Sequence, residues 1–398
     1  MEVLRIAEYA ISFAVLYFTV YMLLIFLRNR SRIHSSPRAD FEPTVSVVLP
    51  AYNEEKNIGR AIRSVLAADY PKDKLEIIVV DDESTDRTAE IVREFGKRVK
   101  LLHKKNEGCK AYALNYGIAR AKGEIIITLD ADSYIMPQAI RKILRHFDGD
   151  DVAAVTSAIK VRERKKSGFF EKLQRIEYLF TAFNRRLFSF INSVYVTPGP
   201  LSAFRREVFE ELGGFDANNI MEDQEYALRI QSANYRIASC MDAVAYTEVP
   251  KDFNGLLKQR IRWHRGGIRN MLSYWHLANP KYGDFGAFVM PFTIASVFLM
   301  FAVLAIVAAS SARFLKPLSV DMFLGVEPIN VIAAIIFCAT VAWTLVALGY
   351  TKNKTSVFMM FVYTIVYAYM TTLFTLIAIG KEVRRDKVGW ETKPAVIK

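Results

Sequence analysis

Residues 124–132 read EIIITLDAD, an apolar run that ends in two aspartates separated by one residue. A short, continuous apolar run of this kind is typical of a strand that is buried on both faces of a parallel sheet. Two similar runs precede it in the chain, TVSVVL at residues 44–49 and LEIIVV at residues 75–80. Helical patterns follow these runs at 57–67, 85–95 and 110–121, and a shorter strand pattern lies at 99–102. This alternation predicts βαβ units, and therefore an α/β fold with a mostly parallel sheet.

A polar cluster follows each of the three apolar strands at the point where the strand ends. The clusters are PAYNE at residues 50–54, DDESTD at 81–86 and DAD at 130–132. In open α/β sheets, ligands bind beyond the carboxyl ends of the strands. The sequence therefore predicts that the three clusters form one composite site.

The acidic clusters have both a binding and a structural interpretation. Asp130 and Asp132 can direct oxygens to one Mg²⁺ or Mn²⁺ ion, with phosphate oxygens completing its shell, whereas the alternative is a solvated turn. Asp82 can accept hydrogen bonds from a base or a ribose. The alternative is that the acids of this cluster cap the following helix, a role that suits Ser84 and Asp86 better.

Two later segments add charged candidates. Lys110 follows a flexible glycine near a predicted helix start, which suits a diphosphate, although a solvated lysine explains the pattern equally well. Glu222 and Asp223 open the predicted helix at 224–231. A carboxylate there can act as a general base on an acceptor hydroxyl, but local sequence alone favours acids that only complement the helix dipole.

The sequence QRIRW at residues 259–263 lies in a probable helix. Gln259, Arg262 and Trp263 share one face of that helix at spacings of three and four residues. Arg262 can pair with phosphate and Trp263 can stack on a sugar ring. The alternative is a basic helix at a membrane surface, in which the tryptophan anchors at the interface.

Charge and hydropathy are distributed unevenly over the 398 residues. The net charge is +12, but we find no known nucleic-acid-binding module, and a basic cytoplasmic face of a membrane protein explains the charge better. The three cysteines have neither metal-ligand spacing nor the pattern of a disulfide framework. Tyr9–Leu27 contains no charged residue over nineteen positions, which is long enough to span a bilayer.

The basic residues that follow the first apolar run predict its orientation. Arg28, Arg30, Arg32 and Arg38 place the chain after residue 28 in the cytoplasm, and the N-terminus outside. Apolar runs also occupy residues 286–312, 330–350 and 356–380. Three full crossings would put the basic tail 381–398 outside, which conflicts with its charge. We favour a cytoplasmic tail, with one run that is re-entrant or interfacial.

A further helical pattern begins at Phe169. Its apolar residues recur at helical spacing, and Arg and Lys occupy much of the remaining surface. Such a helix can lie flat on a membrane, or it can turn its apolar face to the core of the soluble domain.

The polar clusters and the QRIRW segment described above resemble, in order and approximate spacing, those of the family 2 glycosyltransferases. The resemblance also includes PGPLSAFR at residues 198–205 and GGFD at 213–216. The branch in question contains the membrane-embedded cellulose, hyaluronan, chitin-oligosaccharide and poly-N-acetylglucosamine synthases. The resemblance covers about residues 45–265 and the membrane layout, and Trp390 resembles a tail motif of the hyaluronan synthases. Two features depart from the pattern: Cys109 stands where a small residue often precedes the lysine, and only one apolar span precedes the soluble domain.

The resemblance implies a GT-A fold and an inverting transfer from a nucleoside diphosphate sugar, usually linked to UDP. It implies a catalytic base at Asp223 and a metal site for Mg²⁺ or Mn²⁺ at Asp130 and Asp132. The remaining roles it implies are the binding of the nucleotide sugar and of the acceptor. Donor-binding residues would be Ala51, Tyr52, Glu54, Asp82, Lys110, Asp130 and Arg262, and acceptor-binding residues would be Gln259, Trp263, Gly199 and Pro200.

The predicted organisation is a transmembrane helix with a basic linker at 1–39, a cytosolic GT-A domain with interfacial helices at 40–285, C-terminal transmembrane helices at 286–380 and a basic tail at 381–398. The expected protein is an integral protein of the cell membrane that extends a polysaccharide, with a lean towards UDP-N-acetylglucosamine as donor. The alternatives are addition of one sugar to a lipid or glycolipid, and an inactive scaffold or transport subunit. The expected partners are the sugar donor, a polysaccharide or lipid-linked acceptor and the bilayer, with no nucleic acid; a partner subunit or a homo-oligomer is left open.

Overall fold

A computed structural model describes residues 2–37, 40–164, 167–301, 328–351 and 356–386. The strands are β1 (Val45–Ala51), β2 (Leu75–Asp81), β3 (Lys100–His103), β4 (Ile125–Thr128), β5 (Tyr134–Ile135), β6 (Val152–Val161), β7 (Ser202–Arg205) and β8 (Arg236–Thr247). The helices of the sheet domain are α2 (Ile58–Leu66), α3 (Thr88–Arg93), α4 (Lys110–Ile118), α5 (Ala139–Leu144), α6 (Phe169–Ser189), α7 (Arg206–Leu212), α8 (Glu222–Ser232) and α9 (Phe253–Ser273).

The strands form one sheet in the order β3-β2-β1-β4-β7-β6-β8-β5. The four strands at the β3 end run parallel to one another, and β6 runs parallel to β8. β7 is antiparallel to both of its neighbours, and β5 is antiparallel to β8. The prediction of an α/β fold with a mostly parallel sheet is therefore confirmed.

Strand burial explains why the apolar runs could be recognised in the sequence. Every residue of β1 and of β4 is buried, because helices cover both faces of the sheet at this point. One core cluster contains Val47 and Ile127, and a second contains Val48 and Ile126 on the opposite face. The sheet thus holds the strand ends in a rigid frame.

Helix α6 lies between the sheet and the apolar helices of the chain ends, α1 (Glu2–Asn29) and α11 (Pro328–Tyr350). Its residues Leu173, Ile176 and Phe183 are buried, and the Phe183 ring contacts Phe26 of α1 and Trp343 of α11. The contacts favour the interpretation that this helix turns its apolar face to a protein core, and part of that core is made by the apolar helices themselves.

The remaining apolar helices are α10 (Phe285–Phe301), α12 (Val357–Val362) and α13 (Ala368–Val383), with a π-helical turn at Tyr363–Tyr367 between the last two. Two helices of the described residues are long and apolar enough to cross a membrane, Tyr9–Arg32 and Phe358–Val383, a test that core helices and signal sequences also pass. Residues 302–327 of the predicted C-terminal runs, Arg38, the loop 352–355 and the tail from 387, with Trp390, lie outside the described residues.

Candidate active site

The three polar clusters that follow β1, β2 and β4 lie side by side. Ala51 pairs with Asp81 at the ends of β1 and β2, and the Asp82 amide donates to the Ala51 carbonyl over 2.9 Å. The Leu129 amide donates to the Val48 carbonyl over 3.0 Å, which fixes Asp130 at the end of β4 beside them. The structure thus brings together the clusters that the sequence predicted to form one site.

On the β2 side of this edge, Asp82 is buried next to a lysine. Lys104 Nζ lies 3.4 Å from Asp82 Oδ1. Burial raises the pKa of the Asp82 carboxyl, and Lys104 opposes this effect only in part. Asp86 instead accepts a hydrogen bond of 2.9 Å from the Thr88 amide at the start of α3, from the position before the N-cap residue Arg87.

Tyr52 and Glu54 lie on the loop that follows β1, and both are half-buried. Glu54 Oε2 accepts a hydrogen bond of 2.8 Å from Asn57 Nδ2, and the Glu54 amide donates to Thr88 Oγ1 over 2.7 Å. The loop is therefore tied to α3, which is the side of the site where Asp82 lies.

Lys110 and Asp130 form an ion pair at the centre of the site. Lys110 begins α4, and Asp130 directly follows the short connection after β4. Burial alone would lower the pKa of Lys110, but the carboxylates of Asp130 and Glu222 raise it, so the amine stays charged. Lys110 is therefore part of the acidic centre and is not the solvated lysine of the alternative interpretation.

The loop before β7 closes over this ion pair. A Cβ built on Gly199 would lie 2.7 Å from Lys110 Nζ and 2.8 Å from both carboxylate oxygens of Asp130. Thr128 Oγ1 donates to the Gly199 carbonyl over 3.3 Å, and Ser157 Oγ donates to the Pro200 carbonyl over 3.3 Å. A glycine is required here because the backbone itself forms the wall of the site.

Glu222 and Asp223 occupy the first turn of α8 and face the same centre. Asp223 is half-buried and its carbonyl accepts from Thr197 Oγ1 over 2.8 Å, which anchors the loop of Gly199. Burial raises the pKa of both carboxyl groups, while Lys110 and Arg262 lower them. A carboxylate with a raised pKa is a better proton acceptor than an exposed one, so the position suits a general base as well as the helix dipole.

Helix α9 supplies the remaining predicted residues, Gln259, Arg262 and Trp263, all of which are half-buried. Arg262 Nη1 donates to the Ile220 carbonyl at 3.4 Å, just before Glu222 and Asp223. The Trp263 ring lies under the Arg260 guanidinium, with Cζ 4.1 Å from the ring centroid. Trp275, by contrast, is 69% exposed and has the character of an interface anchor.

A divalent ion fits the donor set at the end of β4 only together with other ligands. Asp130 and Asp132 offer hard carboxylate oxygens, and Asp132 Oδ1 is oriented by Ser133 Oγ at 3.0 Å. Among the described residues, no group of three His, Cys, Asp or Glu side chains converges as a metal site. Two carboxylates with phosphate oxygens and water are the usual ligands of Mg²⁺ at a nucleotide site, so the residues are compatible with such an ion.

Sequence reasoning missed the interactions that join α6 to this site. Glu177 forms an ion pair with Arg260, which is 83 residues away, and Tyr367 of the C-terminal segment also contacts that arginine. No local pattern connects positions that far apart, and the basic amphipathic pattern of α6 predicted only a membrane-facing or a core-facing helix. The only available signal was the presence of an acidic residue on a basic helix.

Comparisons with known proteins agree with the geometry. The sequence model described as glycosyl transferase family 2 matches residues 46–213. "Probable glycosyltransferase YdaM" of Bacillus subtilis (strain 168) is 30% identical over 367 residues, which cover 88% of this chain and 86% of that protein. "Poly-beta-1,6-N-acetyl-D-glucosamine synthase" of Staphylococcus epidermidis is 28% identical over 377 residues, covering 92% and 89%.

A solved structure shares the fold over almost the full length of this chain. It is the mannosyltransferase PcManGT from Pyrobaculum calidifontis in complex with GDP-Man and Mn²⁺, with a TM-score of 0.65 and 24% sequence identity. The match covers 96% of this chain and 100% of that one. The GT-A-like architecture expected from the sequence is therefore confirmed.

Proposed function

The chain belongs to glycosyl transferase family 2 and is a glycosyltransferase, and we propose that it transfers a sugar from a nucleoside diphosphate sugar to a growing polysaccharide at a membrane. The observation that carries this proposal is the Lys110–Asp130 ion pair under the backbone of Gly199, with Asp223 close enough to Lys110 to stabilise its charge. The Lys110 ammonium at the strand ends suits the binding of a diphosphate. The Asp223 carboxylate suits an acceptor hydroxyl beside that diphosphate.

The donor is assigned to the β1–β2 side of the site. Ala51, Tyr52, Glu54 and Asp82 hold the nucleoside, since they line the edge where nucleotides bind in sheets of this kind. Lys110 and Arg262 then lie next to the diphosphate and offset the charge that develops on it as it leaves. Asp130 and Asp132 would hold Mg²⁺ or Mn²⁺, which when bound neutralises diphosphate charge.

The acceptor is assigned to the side formed by the loop 198–201 and helix α9. Gln259, Trp263, Gly199 and Pro200 orient the acceptor hydroxyl towards Asp223. Asp223 accepts the proton of that hydroxyl while the oxygen attacks the anomeric carbon from the face opposite the diphosphate. The bond from the anomeric carbon to the diphosphate breaks in the same step, so the configuration at that carbon inverts.

The donor sugar is proposed from the named relatives. A relative that is similar over 89% of its length is a synthase of poly-β-1,6-N-acetylglucosamine, which supports UDP-N-acetylglucosamine as the donor. The structure with the shared fold binds GDP-mannose, so GDP sugars belong in the same test. The enzymatic names of the relatives favour catalysis over the inactive-scaffold alternative.

The membrane location is supported by the helices of the two chain ends. An 18-residue window of Tyr9–Arg32 has a mean hydropathy of 2.4, and the exposed large residues of the helix include Phe13, Tyr17 and Leu24. We infer that this helix crosses the cell membrane, that residues 40–285 form the cytoplasmic catalytic domain and that residues 286–380 return to the bilayer. The tail 381–398 is assigned to the cytoplasm because it is basic.

The competing function is the addition of a single sugar to a lipid or glycolipid. It is favoured by the single apolar span that precedes the soluble domain, where several of the polysaccharide synthases have two. Both functions use the same catalytic residues, so the distinction lies in the product.

The test is nucleoside diphosphate release by the full chain in detergent, with a panel of UDP and GDP sugars and either Mn²⁺ or Mg²⁺, followed by sizing of the product. Release with one donor and a product of many sugars supports the synthase. Release with a product extended by one sugar supports the alternative. An absence of release with every donor and acceptor would contradict both.

A further inference from the structure

Arg260 is a fully buried cation at the centre of helix α9, with an exposed fraction of 2%. Its guanidinium forms an ion pair with Glu177 of α6 and donates from Nε to Tyr367 Oη over 3.0 Å. It also donates from Nη1 to Gln259 Oε1 over 2.9 Å and covers the Trp263 ring. A single side chain therefore contacts α6, the Tyr363–Tyr367 turn and two residues assigned to the acceptor.

The buried charge of Arg260 requires partners, because burying an ion costs several kcal/mol unless it is paired and hydrogen-bonded. Glu177 and Tyr367 meet that requirement from two other elements. Tyr178 of α6 also hydrogen-bonds to the guanidinium. Further contacts go to its own helix neighbours, Gln259 on one side and Trp263 on the other. The cation thereby restricts the rotamers of both, since a cation–π contact and a hydrogen bond each fix an orientation.

The same C-terminal segment also contacts α9 farther along, where no acceptor residue is involved. Arg265 forms an ion pair with Glu382, and Arg269 Nε lies 2.9 Å from the other oxygen of that carboxylate. These contacts join α9 to α13 as the Arg260 contacts join α9 to the Tyr363–Tyr367 turn. The Glu382 ion pairs therefore serve as a control for the Arg260 contacts. They join α9 to the C-terminal segment, as Arg260 does, but they do not contact Gln259 or Trp263.

We propose that Arg260 is a positioning residue that holds Gln259 and Trp263 in the arrangement that binds the acceptor, and that Glu177 and Tyr367 hold Arg260. This inference rests on the proposed function, because it takes Gln259 and Trp263 as acceptor-binding residues. It makes acceptor affinity dependent on the docking of the apolar C-terminal segment, while the nucleoside of the donor is held at the β1–β2 side of the site.

The test uses the full chain in detergent with the variants Arg260→Lys and Tyr367→Phe, and with Glu382→Gln as the matched control. The donor is the nucleotide sugar that the wild-type protein turns over, and the acceptors are short β-1,6-linked N-acetylglucosamine oligosaccharides. We expect Arg260→Lys to raise the KM for the oligosaccharide about tenfold and Tyr367→Phe about threefold, with the donor KM within about twofold of wild type. Glu382→Gln should lower the melting temperature and leave both KM values unchanged.

The outcomes separate this inference from the proposed function. The positioning role is overturned if Arg260→Lys and Tyr367→Phe change the KM for the donor as much as the KM for the oligosaccharide. It is also overturned if the control Glu382→Gln raises the KM for the oligosaccharide as they do. If Arg260→Lys does not fold, Tyr367→Phe decides alone, because it removes one hydroxyl. A wild-type protein that turns over a donor but extends no oligosaccharide refutes the acceptor assignment and the inference with it, and one that turns over no donor refutes the proposed function itself.

Discussion

Gly199→Ala tests the geometry of the site with the addition of one methyl group. The new Cβ would lie 2.7 Å from Lys110 Nζ and 2.8 Å from both oxygens of Asp130, distances that real Cβ atoms do not adopt. Gly199 is not among the glycines with a positive φ, so the backbone itself permits alanine. The perturbation is therefore confined to the space that the Lys110–Asp130 ion pair occupies.

The magnitude follows from which atoms can move. Lys110 ends in a flexible chain, but Asp130 is fixed at the end of β4, so relief requires the ion pair to open or the loop to shift by several tenths of an ångström. Overpacking of this kind costs about 1–3 kcal/mol of stability. A displacement of about 1 Å at a reacting centre can lower a rate about a hundredfold, so for this smaller shift we expect a loss of about tenfold or more in kcat/KM for the donor.

The assay is nucleoside diphosphate release at varied donor concentration, with Gly267→Ala as the control. A Cβ on Gly267 of α9 would meet Gln224 Oε1 at 3.7 Å, an ordinary contact, so the same substitution is accommodated there. We expect the control to stay within about twofold of wild type. Wild-type kcat/KM in Gly199→Ala would refute the proposal that the Lys110–Asp130 pair is part of the donor site.

Three other perturbations test separate parts of the structure. Asp132→Asn should raise the Mn²⁺ concentration needed for half-maximal activity at least about tenfold, because a neutral amide is a weaker ligand; an unchanged metal titration would contradict the site. Burial raises the pKa of Glu222 in the folded chain, so the folded state holds a proton on this carboxyl at a pH where the unfolded chain has lost it. As pH rises through the raised pKa, the carboxyl ionises and its buried charge destabilises the folded state. Glu222→Gln should therefore gain melting temperature relative to wild type at about pH 9 but not at about pH 4, and an equal difference at both would contradict this. Arg186→Met should lower the free energy of unfolding by about 3 kcal/mol, because it removes the guanidinium that donates to the carbonyls of the buried residues Ile33 and Ser239 over 3.0 and 2.6 Å; a loss under about 1 kcal/mol would contradict this.

The part of the fold that could be predicted from the sequence is the part that local chemistry determines. The runs at 44–49, 75–80 and 124–129 are mainly apolar because most residues of their strands are covered on both faces, and the polar residues at their ends mark one edge. Lys110 and Asp130 lie together because they follow β3 and β4, two parallel strands that end at this edge. The helix predicted at 85–95 is shorter, Thr88–Arg93, and Asp86 before it accepts from the Thr88 amide.

The remainder depends on contacts between distant positions. β7 is antiparallel between β4 and β6, and its four residues carry no signal of that direction. Arg186 and Arg260 have the composition of solvated helix positions, yet both are buried because carbonyls and a carboxylate from other elements surround them. A sequence pattern records which residues are polar, whereas the partner that permits burial appears only in three dimensions.

The measurement that tests the central claim most directly is nucleoside diphosphate release by Asp223→Asn compared with wild type, with binding of the donor measured on the same samples. The substitution keeps the size of the side chain and removes the proton acceptor. We expect release to fall about a hundredfold to ten-thousandfold while the donor dissociation constant stays within about threefold. Release that persists at the wild-type rate would contradict the assignment of Asp223 as the base, and with it the proposed mechanism.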